Sequence, residues 1–125
     1  MTGSLAVLVL RSPVRCARVA QWTWSQSRRL CDALHYEGTR AISAIGQPPA
    51  APGDQRDVVA AVLQRVGATC LVSAAILQRW DADHDRPRPL IIGVERSRSG
   101  GFAAHAWLDG DDGDQQFVEL HRIRP

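Results

Sequence analysis

The chain has 125 residues and a mass of 13.7 kDa, a size that supports one domain around a modest hydrophobic core. Its 45% hydrophobic content suits a globular protein and excludes wholesale disorder. All 15 basic residues are arginine, so lysine has no catalytic role, and a net charge of +2 from scattered rather than clustered arginines argues against nucleic-acid binding.

The first half is the basic one. Residues 1–50 hold six arginines against two acids, net +4, whereas residues 51–125 hold nine against eleven, net −2. A basic first half suits an acidic peptide or protein partner. The opening stretch LAVLVLRSPVRCARVA has an apolar run too short for a membrane span, interrupted by Arg11, with no basic segment before it. Neither a membrane span nor a cleaved signal peptide is expected. Cys16, Cys31 and Cys70 form no CxxC pair and leave an odd number, so a reduced, cytoplasmic setting fits better than a disulfide framework. Arginine without lysine also points to a GC-rich bacterial gene.

Leu5–Val19 and Trp22–Ala44 carry apolar residues at helical intervals, with Pro13 as an expected break. The segment GQPPAAPGD, residues 46–54, holds three prolines and two glycines and reads as a linker. Asp54 is placed to cap a helix whose face is Val58, Val59, Val62, Leu63 and Val66, and Gly67 ends it. Residues 1–53 thus form an N-terminal helical segment with its linker, and residues 54–125 a core, within one compact domain overall.

Thr69 is an N-cap candidate for Cys70–Trp80, a run apolar nearly all round and so expected to be a helix buried at the centre. DADHDRPRP then reads as a polar loop with His84 in solvent. Its alternating Asp81, Asp83 and Asp85 resemble a calcium loop, but lack the required glycine and distal glutamate. LIIGVE, FAAHAWLD and QQFVEL read as three strands, with RSRSGG turning between the first two. Helices first and an antiparallel meander last make an α+β fold.

Two residues stand out chemically. Cys70 falls in the first turn of the buried helix, where unpaired N–H groups and the helix dipole attract negative charge and suit a nucleophilic thiolate; the alternative is a small buried hydrophobe. His105 shares one strand face with Ala103, Trp107 and Asp109, opposite the apolar Phe102, Ala104, Ala106 and Leu108. It is either a base lining a cleft or a structural strand histidine. Asp109 lies four residues along the strand, about 13 Å away, too far to orient the imidazole. A three-residue hairpin loop ending at Gly113 would pair His105 with Glu119, while a tight Asp112-Gly113 turn would slip the register and turn Glu119 to the other face.

TCLVSAAILQRW, then LIIGVE, a short glycine turn and FAAHAWLDG resemble the lasso-peptide leader peptidases, the second part of a split B protein. These are transglutaminase-like (papain-like) cysteine proteases, and the resemblance covers roughly residues 55–120. It implies a central buried helix packed on a small antiparallel sheet, with Cys70 as nucleophile and His105 as general base. The family's third member is an acid about a dozen residues after the histidine. Here the nearest candidate is Glu119, slightly late, with the acids of residues 109–114 as alternatives. The oxyanion would be met by the Cys70 N–H, with Gln64 a candidate side-chain donor or an ordinary exposed glutamine.

The resemblance further implies a precursor peptide cut at its leader, a separate leader-recognition protein, and a separate lasso cyclase that receives the core peptide. Trp22, Trp24, Arg28 and Arg29 could form a docking surface, or the tryptophans could pack between helices. No cofactor is implied. Cys16, Cys31 and His35 lack the paired spacing of a zinc site, so no metal is expected. The competing readings are an acyl-transfer or amide-hydrolysing enzyme with another substrate, and a non-catalytic scaffold that binds peptide.

Overall fold

The computed structural model describes residues 13–96, 101–111 and 117–125. They group into two units, one ending at Ala68 and the other Thr69–Pro125.

In the first unit, helix α1 spans Pro13–Glu37 without a break. Pro13 is its first residue, a position where a missing N–H is harmless. The expected break at Pro13 borders residues 1–12, which lie outside the described residues together with the part of the expected helix before it. Cys16, Val19, Trp22, Thr23, Ser27 and Leu30 are buried, a three-to-four-residue spacing that gives one inward face. Gly38, at φ +62°, turns the chain into a 3₁₀ segment, Gly38–Ala44, which buries Ala41 and Ile42.

The proline-rich segment after it is strapped down rather than a free linker. The Trp22 indole Nε1–H donates to the Gly46 carbonyl at 3.1 Å, and the Gly46 N–H donates to Gln26 Oε1 at 3.0 Å. A 3₁₀ turn, Gly53–Gln55, leads into helix α2, Arg56–Arg65. Asp54 falls inside that turn and does not cap α2. The cap position belongs to Gln55, which is buried and accepts the Cys16 thiol hydrogen at 3.2 Å. α2 packs on α1 and buries Val58, Val59 and Leu63, while Val66 is exposed. Gly67 (φ +66°) closes the helix as expected, with the Gly67 and Ala68 N–H groups donating to the Gln64 and Leu63 carbonyls.

The second unit begins with helix α3, Cys70–Ala82, capped by Thr69, whose Oγ1 accepts the Val72 N–H at 3.3 Å. Val72, Ala74, Ala75, Ile76 and Trp80 are buried, and α3 packs on β1 (Leu90–Arg96) and β2 (Phe102–Leu108). It is the expected central helix, but it runs past Trp80. Asp81 belongs to it, is 2% exposed, and accepts the Arg88 guanidinium at 2.7 Å. An internal counterion thus draws into the core a residue whose polarity reads as loop. His84 is half-buried rather than solvated: its ring stacks on Trp80 at 4.2 Å, and Nδ1 lies 2.7 Å from the Trp80 carbonyl.

The sheet is antiparallel, with β3 (Phe117–Ile123) as its third strand, but its order is β2-β1-β3 rather than a meander. β1, which buries Leu90 and Ile91, takes the centre, while β3, with Glu119, His121 and Arg122 exposed, takes an edge. Both outer strands are antiparallel to β1 and therefore parallel to each other. Their connection must return along the strand direction, which a tight hairpin cannot do. The expected loop at Asp111-Asp112-Gly113 runs into residues 112–116, outside the described residues. So do residues 97–100 of the RSRSGG turn. The buried Gln78 amide fastens helix to sheet, donating to the Arg88 and Ile123 carbonyls at 2.9 and 2.8 Å.

Candidate active site

Cys70 is the first residue of α3, and its thiol is free and exposed. The Val72 N–H is taken by the Thr69 cap. The N–H groups of Cys70 and Leu71, in the first turn, have no acceptor inside the helix. An exposed thiol and backbone N–H donors therefore share one helix end.

His105 sits on β2, half-buried, between the exposed Ala104 and the buried Ala106. Ala106 and Leu108 point into the core, so His105 and Trp107 share the other face, as the alternation predicts. Their rings stack at 5.7 Å with 21° between planes. The Trp107 ring also covers Gly93 on β1. A Cβ at Gly93 would lie 2.7 Å from Trp107 Cη2 and 2.8 Å from the Val118 carbonyl oxygen. Only glycine fits beneath that ring, and the β1–β3 register shifts at the same point, between Ile92 and Gly93.

Glu119 does not pair with His105. Each pairs with Gly93, from opposite sides, so their backbones are two strand spacings apart, about 10 Å. The Glu119 carboxylate accepts the Arg122 Nε–H at 2.8 Å, and Arg122 also reaches Asp109 at 3.4 Å. That hydrogen bond to Glu119, foremost, raises the Arg122 pKa above its ordinary value. The hairpin register that would set Glu119 beside His105 is thus replaced by a row, His105–Gly93–Glu119.

The acids after β2 serve arginines. Asp109 meets Arg122, and Asp111 meets Arg88 at 2.8 Å; Asp112 and Asp114 lie outside the described residues. Burial opposes the Arg88 charge, but hydrogen bonds to Asp81 and Asp111 outweigh it and raise its pKa. In the first unit Gln64 is exposed on α2, Trp22 is buried, and Trp24 is exposed beneath the Arg28 guanidinium, 5.1 Å from its ring centre. Cys31 and His35 are exposed on α1. Among the described residues no three His, Cys, Asp or Glu side chains gather as a metal site, and no helix is long and apolar enough to cross a membrane.

Two features escaped the sequence. The Gly93–Trp107 contact had a signal, since a lone glycine inside LIIGVE marks a close approach or a bulge. Arg88 had none, because its partners lie 7 and 23 residues away in the chain.

Comparison with known families matches residues 9–119 to the transglutaminase-like superfamily. No curated protein and no solved structure matches the chain.

Proposed function

The chain belongs to the transglutaminase-like superfamily, and on that premise we propose that it is a cysteine peptidase that removes the leader from a ribosomally made lasso-peptide precursor. The observation that carries the reading is the exposed Cys70 thiol at the capped start of α3, the helix that packs on the strand bearing His105. The order of cysteine helix, Ile-Gly-Val strand and His-Ala-Trp strand supports the narrower substrate.

In this mechanism His105 takes the Cys70 proton, and the sulfur attacks the scissile carbonyl at the leader's end. The Cys70 N–H meets the oxyanion. His105 then protonates the leaving amine of the core peptide, and water releases the leader acid from the thioester. Glu119, beyond the Trp107 ring that covers Gly93 and bound to Arg122, acts on the imidazole through its charge rather than by a direct hydrogen bond. The leader is presented by a separate recognition protein, and the freed core passes to a cyclase, in the cytoplasm.

The test is incubation of the protein and its recognition partner with the precursor, followed by mass spectrometry. Cleavage at the leader–core bond that disappears in a folded Cys70→Ala protein supports the reading. Undiminished cleavage by that variant, or none by the wild type with a bound partner, overturns it.

A further inference from the structure

The first unit carries a groove that the chemistry at Cys70 does not use. It has a volume of about 540 Å³ and runs between α1 and α2, lined by Cys16, Ala20 and Trp24 on one side and Val58, Val62 and Arg65 on the other. Its floor is apolar. Trp24 is 47% exposed, and Val66, also lining the groove, is 42% exposed. Large side chains left this open on a small domain mark a binding surface rather than a core.

Two arginines stand at the groove. Arg65 forms part of the wall, and the Arg28 guanidinium lies over the Trp24 ring. Arg28 and Arg65 are both exposed. No acidic residue lines the groove. Cys16 to Trp24 spans about 12 Å of helix, as does Val58 to Val66. That length matches two turns of a third helix laid between them.

We propose that this groove docks an acidic amphipathic helical segment of a partner protein or peptide, its apolar residues at i, i+4 and i+7 seated between Trp24 and Val62 and its carboxylates facing Arg28 and Arg65. The apolar floor supplies burial, and the arginine rim selects sign and orientation. A small molecule fits poorly, because such sites use several convergent polar groups to fix orientation, and here the charged groups stand at the rim. The inference rests on the first unit alone and holds whether or not the chain is a peptidase.

The experiment is fluorescence anisotropy of the full chain with a labelled synthetic peptide that carries leucines at i, i+4 and i+7 flanked by glutamates. An isomer with lysines in place of the glutamates is the control. Saturable binding of the glutamate peptide is expected, about tenfold or more tighter than the lysine peptide and weakening as salt rises. Trp24→Ala and Arg65→Glu, both at exposed positions, should each weaken it about tenfold, with circular dichroism unchanged. Cys70→Ala should bind like the wild type, so failure here is distinct from failure of the peptidase reading. Equal binding of both peptides, or binding unaffected by Trp24→Ala and Arg65→Glu, overturns the proposal. So does binding seen only after residues 1–12 are removed, which makes the chain's own start the occupant. A concentration-dependent dimer that Trp24→Ala dissolves, without peptide binding, overturns it in favour of a second copy.

Discussion

His105 and Glu119 pair in register with the same residue, Gly93, from its two sides. The space above Gly93 is taken by the Trp107 ring, which also stacks on His105. The imidazole is therefore bounded by an aromatic face, and the carboxylate in its row lies one strand beyond that ring's glycine seat.

Gly93→Ala tests this seat. The added methyl meets a ring atom at 2.7 Å and a backbone oxygen at 2.8 Å, and the backbone cannot rotate away. Overpacking of this kind should cost about 2 kcal/mol, read by denaturant unfolding. Pairing with Trp107→Leu should recover part of the loss, because one of the two obstructing groups is then smaller.

Cysteine alkylation tests the nucleophile. Cys70 and Cys31 are exposed and Cys16 is buried on Gln55, so iodoacetamide should label the first two and spare the third in the folded chain. His105→Ala should slow Cys70 labelling while leaving Cys31 unchanged, followed by peptide-mapping mass spectrometry. Labelling of Cys70 and Cys31 at equal rates, indifferent to His105, would count against an activated pair.

Peptidase activity should rank the three site residues. Cys70→Ala should abolish it, and His105→Ala should lower kcat by about 10³-fold, the range of a general base. Glu119→Gln should cost only about tenfold, since the carboxylate lies a strand away and is shared with Arg122. A Glu119→Gln loss as large as that of His105→Ala would make the carboxylate an obligatory partner.

Arg88→Met removes a guanidinium from a carboxylate that is 2% exposed. The loss should be about 3 kcal/mol, as for other buried pairs broken from one side. The folded Arg88 pKa is raised above its unfolded value. Its contribution is therefore complete below that value and lost only as pH rises through the still higher folded pKa. The difference between Arg88→Met and the wild type should stay flat from about pH 7 to about pH 10. A difference that shrinks in that window would show that the charge of Arg88 is not what stabilises the pair.

Thr69→Ala deletes the acceptor of the Val72 N–H. It should destabilise the second unit by about 1 kcal/mol. Thr69→Ser, which keeps the oxygen, should restore most of that in thermal unfolding.

Much of this architecture was legible because it rests on local patterns. The all-round apolar stretch after Thr69 gave the central helix, Gly67 gave a stop, and alternation along FAAHAWL put Ala106 and Leu108 inward and His105 outward. What escaped depends on pairings distant in the chain. Strand order depends on which pairs of strands meet, and three strands of seven residues offer several antiparallel arrangements. Asp81 read as loop because its counterion, Arg88, is identifiable only once the chain has turned back. Of the site, Cys70 and His105 stood out from their own surroundings. The position of Glu119 depended on a hairpin that the sheet does not make.

The strand order also bears on how the second unit assembles. β1 and β2 adjoin in sequence and can zip as a hairpin, but β3 can dock only on the edge of β1 that this hairpin leaves open. Its arrival closes a longer loop, a step that carries more chain entropy than hairpin formation. β3 is also the strand whose Val118 and Leu120 stay exposed, so less burial holds it. In native-state hydrogen exchange its amides should open at lower free energy than those of β1 paired with β2. Transient release of β3 would uncover the β1 edge at Gly93 and give the sheet a second, shorter-lived state in which His105 and Glu119 no longer share a row.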